Sequence, residues 1–241
     1  MQGKGAPDVR APRAQPAFAG APPESNPLHA RAEDRIVLFD RLPMKAIDLP
    51  LQDGGARKLA TFAGSPVLIT LWSTADATSL ELLRALGAEK KELERAGVPS
   101  ITLAREDAGA AKAAGALLAE SGITSLTGIA DARFTLALEV ILVEVLGPYE
   151  KLAMPLVLLV DSSGQLVAVY SGERDLARIA ADVDTLRKTD PQGRFTETLL
   201  GGHWARFLSR DLEGTAQIFS ALGREDLARF YRDEAAARST H

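Results

Sequence analysis

The stretch "LWSTADATSL" (71–80) places Asp76, Thr78 and Ser79 between an apolar run and a helical pattern. A carboxylate and two hydroxyls at a strand-to-helix turn raise three chemical options. The first is nucleophilic catalysis by Ser79, which needs a general base within hydrogen-bond reach. The three histidines, His29, His203 and His241, all lie outside residues 35–190. Asp76 is close in sequence, but a carboxylate held at a helix start is a poor base. The second option is anion or thiolate chemistry at a helix N-terminus, where the peptide dipoles favour negative charge. The chain has no cysteine, so no disulfide, thiolate metal site or thiol nucleophile of its own is available. The third option is structural, with Asp76 and Thr78 serving only to cap the helix.

Other candidates are weaker. Glu139 and Glu144 are five residues apart on one helical pattern, a spacing that points them in different directions and predicts solvated positions. The runs "EKKELER" (89–95) and "GRED" (223–226) read as exposed faces. Three scattered histidines and no cysteine give no metal-ligand pattern, so neither a metal nor a cofactor is expected. A net charge of −4 without a dense basic cluster argues against nucleic-acid binding.

The elements that position the loop follow from the pattern. Residues 1–34 are rich in Ala, Pro and Gly without a period, which predicts a disordered tail. The next segment, broken by Pro43, Pro50 and "DGG" (53–55), predicts an irregular lead-in or a short hairpin. "SPVLITLWS" (65–73) has the continuous apolarity of a strand buried on both faces. From Thr78, "TSLE" has the form of a capping box, with Thr78 as N-cap and Glu81 reaching back. A second strand is expected at 99–106, a helix at 107–122 and another at 134–147. "MPLVLLVDSSGQLVAVYSG" (154–172) reads as a hairpin around "DSSG". An amphipathic helix at 174–188 closes the unit, with Leu176, Ile179, Val183 and Leu186 on one face. Helices between the early strands favour a parallel pair with a crossover, and the hairpin is expected at one edge. The 134–147 stretch is too short to cross a bilayer, and no signal peptide is visible. No membrane insertion is therefore expected, and a cytoplasmic location is the default.

Residues 211–238 predict two further helices joined near "LGRED". Such a pair cannot bury its apolar face alone, so Phe219, Leu222, Phe230 and Tyr231 must dock on the α/β unit, on a second copy, or on a partner.

Four pieces together resemble the TlpA/redoxin branch of the thioredoxin-like superfamily. They are "LPMKAIDLPLQDGGARKLATFAGSPVLITLWST", the helix from Thr78, "MPLVLLVDSSGQLV" and the closing helix. The insertion "DARFTLALEVILVEVLGPYEKLAMPLVLLVD" is similar to the redoxin segment of ASPIC/UnbV-type repeat proteins. "ALGREDLARFYRDEAAA" resembles part of a tetratricopeptide repeat. The resemblance implies an α/β fold: a thioredoxin-like α/β/α sandwich with a mixed central sheet over residues 35–190, carrying a C-terminal helical hairpin at 191–241. By position, Trp72 matches the family tryptophan, Asp76 falls on the nucleophilic cysteine and Ser79 on the resolving cysteine. Pro155 falls on the cis-proline, and Asp161 with Gly164 marks the hairpin turn. The two missing cysteines depart from the family and remove its thiol–disulfide chemistry.

The expectation is a redox-inactive binding or assembly module with no catalytic residue, in which Asp76 and Ser79 are vestiges. Its groove candidates are Trp72, Asp76, Thr78, Ser79, Met154 and Pro155. In the family, a cis bond before this proline exposes backbone groups that pair with an extended peptide. The other reading is that Pro155 only shapes the start of the strand, as Trp72 and Phe62 can simply be core. A protein or peptide partner is expected, with self-association through the C-terminal helices as a further option. The alternative function is an enzyme of the oxidoreductase class that activates an exogenous thiol, such as glutathione, with Ser79 or Thr78.

Overall fold

The computed structural model describes residues 35–52, 55–88, 98–106, 109–123, 126–147, 152–172, 175–193, 200, 203–205 and 210–239. The predicted tail (1–34), the "EKKELER" run and Asp107 lie outside these residues.

The centre is a seven-stranded sheet in the order β6-β5-β4-β7-β8-β1-β9. Its first half holds β4 (Val67–Trp72), β5 (Ser100–Ala104) and β6 (Leu126–Ile129), all parallel. β7 (Leu156–Val160) and β8 (Gln165–Ser171) run antiparallel beside β4. β1 (Arg35–Pro43) pairs antiparallel with β8, and β9 (His203–Ala205) pairs parallel with β1 at the edge. Helix α1 (Ala77–Ala88) follows β4, α2 (Ala111–Glu120) follows β5, and α3 (Ala132–Leu146) follows β6. Helix α4 (Leu176–Thr189) follows the hairpin, and α5 (Leu212–Ala221) and α6 (Glu225–Ser239) end the chain.

Two-residue alternation along the strands sorts the core into layers. Val67, Ile69 and Leu71 of β4 belong to one cluster with Ile141 of α3, Phe219 of α5 and Tyr231 of α6. Leu68 faces the other way with Leu82 and Leu86 of α1 and Ile179 and Val183 of α4. Trp72 joins Leu83 of α1 and Leu118 of α2. The result is the expected α/β/α sandwich with a mixed sheet.

Three expectations change. The β7–β8 hairpin is interior, because the lead-in contributes β1 beyond it. "RIVLFDRLP" does not alternate cleanly, since its register with β8 shifts between Val37 and Leu42, and this hides it as a strand. The expected short hairpin exists separately as β2 (Asp48–Pro50) and β3 (Ala56–Lys58). β6 was not expected. Its sequence "LTGI" is short and carries Gly128, where a Cβ would sit 1.8 Å from the Pro50 carbonyl oxygen. A glycine is required there by close approach of two backbones, although it weakens strand propensity.

The C-terminal helices dock on the sheet of their own chain. Phe219 and Tyr231 stack at 5.4 Å and are fully buried, and the Tyr231 hydroxyl donates to the Pro43 carbonyl at 2.8 Å. Leu222 remains exposed, as does Ile218. Glu144 is not simply solvated, because it accepts from the Asp211 amide at 2.9 Å and ties α3 to the start of α5. Nor is "GRED" an ordinary exposed face. Arg224 is buried, holds Asp226 at 3.0 Å and donates to the Arg133 carbonyl.

A charged cluster sits at the end of the sheet opposite the Asp76 loop. Arg41 is fully buried and donates to Asp161 at 2.9 Å and to Asp190 at 2.6 Å. Asp161 also accepts from the Ser163 and Gln165 amides, which fixes the hairpin turn through Gly164. Among the described residues no helix is long and apolar enough to cross a membrane, and no group of acidic or histidine side chains has metal-site geometry.

Candidate functional site

The apolar strand β4 delivers the loop 73–76 to one end of the sheet, and α1 carries it away. Parallel strands bring the loops after β4 and β5 together at this end. The Arg105 amide donates to the Trp72 carbonyl at 2.7 Å, which joins the two strand ends. One residue further on, the Glu106 carboxylate accepts from the Thr74 amide.

The helix start is closed by Asp76. Its side chain accepts from the Ser79 amide at 2.6 Å, and its carbonyl accepts from Leu80 at 3.2 Å. Asp76 is therefore the N-cap. Thr78 lies inside the first turn, and the capping box read from "TSLE" does not form. An Asp at N-cap satisfies an otherwise orphaned amide and places its charge at the positive end of the helix. The turn is fixed from the other side by Ser73, whose hydroxyl accepts from the Ala75 amide and whose carbonyl accepts from the Asp76 amide.

Two loop amides, those of Thr74 and Ser79, are thus occupied by carboxylates of the chain itself. An oxyanion or thiolate seeking these donors would have to displace a side chain that already carries negative charge. Ser79 is fully buried, and its hydroxyl has no hydrogen-bond partner. Trp72 is also fully buried, with its indole nitrogen unpartnered, and packs in a core cluster with Leu83 and Leu118. Phe62 is partly buried and packs against the main core cluster.

The β4–β7 register pairs Leu71 with Leu156, which sets Trp72 level with Pro155 on the neighbouring strand. The Met154–Pro155 bond is cis. Pro155 is buried, and its carbonyl accepts from the Gly172 amide at 2.8 Å. On the other side, the Ala153 amide donates to the Ser171 hydroxyl at 2.7 Å. Between these anchored neighbours, the amide and carbonyl of Met154 bond to nothing among the described residues. Met154 itself is only partly buried.

Met154 also borders a groove of about 220 Å³ between α3 and the ends of β4 and β7. Leu71 and Leu156 form its floor, and Leu138, Leu142 and Leu146 of α3 form one wall. Arg105 and Glu139 face each other across the rim at 3.4 Å, both more than half exposed, and Val143 is 45% exposed beside them. An exposed pair of this kind contributes little to stability and yields readily to a ligand.

The structure therefore gathers Asp76, Met154 and Pro155 at one end of the sheet and removes Trp72 and Ser79 into the core. Sequence reasoning missed Glu106, Arg105 and the leucine wall of α3. Their signal is topological: Arg105 and Glu106 are the first residues past a strand that runs parallel beside β4, which only the sheet order reveals.

No protein-family model matches the chain, and no curated protein matches it in sequence. Solved structures do resemble it. One is a thiol:disulfide interchange protein of the thioredoxin family from Chlorobium tepidum TLS, at 15% identity and a TM-score of 0.50, covering 60% of this chain and 95% of that one. Another is a thioredoxin-like protein from Porphyromonas gingivalis, at 21% identity and a TM-score of 0.47, covering 64% and 95%. At these identities the likeness concerns the fold: the chain has a thioredoxin-like fold with helices added at its C-terminal end.

Proposed function

We propose that this chain is a redox-inactive binding module of the TlpA/redoxin type, in which Asp76 and Ser79 stand where the two active-loop cysteines would be. It holds an extended segment of a partner protein along Met154. The narrower kinship with redoxin segments of ASPIC/UnbV-type proteins, and the tetratricopeptide character of α5 and α6, belong to the same proposal. The observation that carries it is the pairing pattern at the end of the sheet. The loop amides are closed by Asp76 and Glu106 in a chain without cysteine, while the amide and carbonyl of Met154 have no hydrogen-bond partner among the described residues. An open amide and carbonyl on one residue are the two groups that strand-addition recognition uses. An extended segment passing Met154 would gain a pair of backbone hydrogen bonds without disturbing the sheet.

The test is a peptide titration of isotope-labelled full-length chain. Unstructured peptides at millimolar concentration should shift the Met154 amide resonance selectively. A spectrum in which Met154 stays still while peptide is in large excess refutes the binding reading. Reduction of insulin disulfides by the purified chain, above the rate of the small-molecule reductant alone, refutes the redox-inactive part.

A further inference from the structure

Among the described residues four large apolar side chains stay exposed: Leu136, Val143, Ile218 and Leu222. All four fall on α3 and α5. Leu136 and Val143 are seven apart on α3 and share a flank, with Val140 half-buried between them. Ile218 and Leu222 are four apart at the end of α5. Two contacts fix how the helices lie. Arg224, just past α5, donates to the Arg133 carbonyl at the start of α3, and the Asp211 amide before α5 donates to Glu144 near the end of α3. The two helices are therefore antiparallel. At about 1.5 Å per residue, Leu136 lies level with the gap between Leu222 and Ile218. The flank of α5 is fixed as well. Glu213 and Ser220, seven apart, point toward α6: Ser220 donates to Glu225, and Glu213 acts on the Arg232 guanidinium. Ile218 and Leu222 lie round the opposite side, toward α3. The four side chains thus make one apolar face across the seam between α3 and α5.

Such a face gains free energy when another apolar surface removes it from water. The charges at its end say what that surface carries. Arg133 on the α3 side and Asp226 on the α5 side stand 3.6 Å apart, both exposed. A partner of one strong sign meets a like charge there. A partner bearing the same pair in reverse order meets unlike charges at both positions. The chain itself is such a partner. A half-turn about an axis along the seam leaves every residue at its level and exchanges the two helices. It sets Leu136 of one copy in the gap between Ile218 and Leu222 of the other, and Arg133 against the second copy's Asp226. We propose that this face joins two copies of the chain in an isologous dimer, α3 of each packed on α5 of the other.

The size of the face sets the strength. With 15 residues in α3 and 10 in α5, the helices are about 22 and 15 Å long and lie about 8–10 Å apart. A face of about 20 by 20 Å per copy buries about 800 Å² in all, below the standard interface. The dimer is therefore weak and reversible, with a dissociation constant on the order of 100 µM. Its formation covers the apolar side chains that docking of α5 and α6 on their own chain leaves in water.

The test is sedimentation equilibrium of the full chain from about 10 µM to about 1 mM, over which the weight-average mass should climb from 25.7 kDa toward twice that value. Leu136→Glu and Ile218→Lys, both at exposed positions, should each weaken the dimer at least about tenfold, with circular dichroism and the unfolding midpoint unchanged. Mixed in equal amounts, the two variants should join each other more tightly than either joins itself. One exchanged contact then pairs Glu with Lys, and the other keeps Leu136 on Ile218. A chain that stays monomeric to about 1 mM overturns the proposal, whatever else covers the face, and this arm needs no variant to fold. A dimer that neither substitution weakens lies elsewhere and overturns it too. Variants that dissociate singly and fail to combine overturn the exchange of α3 and α5. Neither position touches Met154, so the binding reading stands or falls separately.

Discussion

Replacing Asp76 by alanine separates the capping arrangement seen here from the one its sequence suggests. The Asp76 carboxylate accepts from the Ser79 amide at 2.6 Å and is half-buried. Loss of an N-cap acceptor costs about 0.5–2 kcal/mol. This bond is charge-assisted and sits at the positive end of a 12-residue helix, which places Asp76→Ala in the upper half of that range, about 1.5 kcal/mol. With a urea m-value of about 2–3 kcal/mol/M, the unfolding midpoint should fall by about 0.5–0.75 M. Asp76→Asn keeps the acceptor and loses the charge, so its cost should be about 0.5 kcal/mol. Thr78→Ala and Glu81→Ala are the decisive comparisons. A capping box would make both costly, by about 1 kcal/mol for the threonine. In the structure Thr78 is inside the first turn, Glu81 is exposed, and both changes should stay within about 0.5 kcal/mol. The assay is urea unfolding followed by circular dichroism, with the Ser79 amide resonance as a local reporter. A neutral Asp76→Ala together with a destabilising Thr78→Ala would refute the assignment.

Other consequences follow from the same coordinates. Arg41→Met should cost about 3–5 kcal/mol in urea unfolding, because it leaves the buried carboxylates of Asp161 and Asp190 without their cation. Ser79→Ala should be neutral or stabilising by up to about 1 kcal/mol, since it removes a buried hydroxyl that has no partner and improves helix propensity. Burial raises the phenols of Tyr170 and Tyr231 far above the usual tyrosine range, helped by the Asp182 carboxylate at Tyr170 and by Glu234 and Glu144 at Tyr231. The folded chain therefore keeps protons that the unfolded chain releases above about pH 10. Stability is fully present below that pH and is lost as pH rises toward the folded values. Phenolate absorbance from these two residues should appear only with unfolding, and Tyr231→Phe should flatten part of the slope.

Much of this architecture is legible in the residues, and the exceptions have physical causes. "SPVLITLWS" announces β4 because a strand buried on both faces cannot alternate. The hairpin around "DSSG" is equally plain, because Asp161 and Gly164 supply the turn chemistry directly. β6 is hidden because Gly128 answers to a neighbouring backbone, not to strand propensity. β1 is hidden because a register shift breaks its period. The site is legible only in part. Asp76 and Met154 could be placed from the chain order, whereas Glu106 and the wall of α3 depend on which strands lie side by side. Ser79 and Trp72 were readable as positions but not as depths, since burial is a property of the packed layers above them.

The anchoring of β1 bears on how the chain is made. Arg41 pairs with residues 120 and 149 positions later, the Pro43 carbonyl waits for Tyr231 188 positions later, and Asp40 binds Arg238 across 198. Within β1, Asp40 and the Pro43 carbonyl thus find these partners only when α6 has been made. At about 5–20 residues per second, synthesis of the intervening 188–198 residues takes roughly 10–40 s. Contacts this distant in sequence also slow folding after release. During that interval β1 can already pair along β8, so the sheet forms before α6 supplies the last partners of Asp40 and the Pro43 carbonyl.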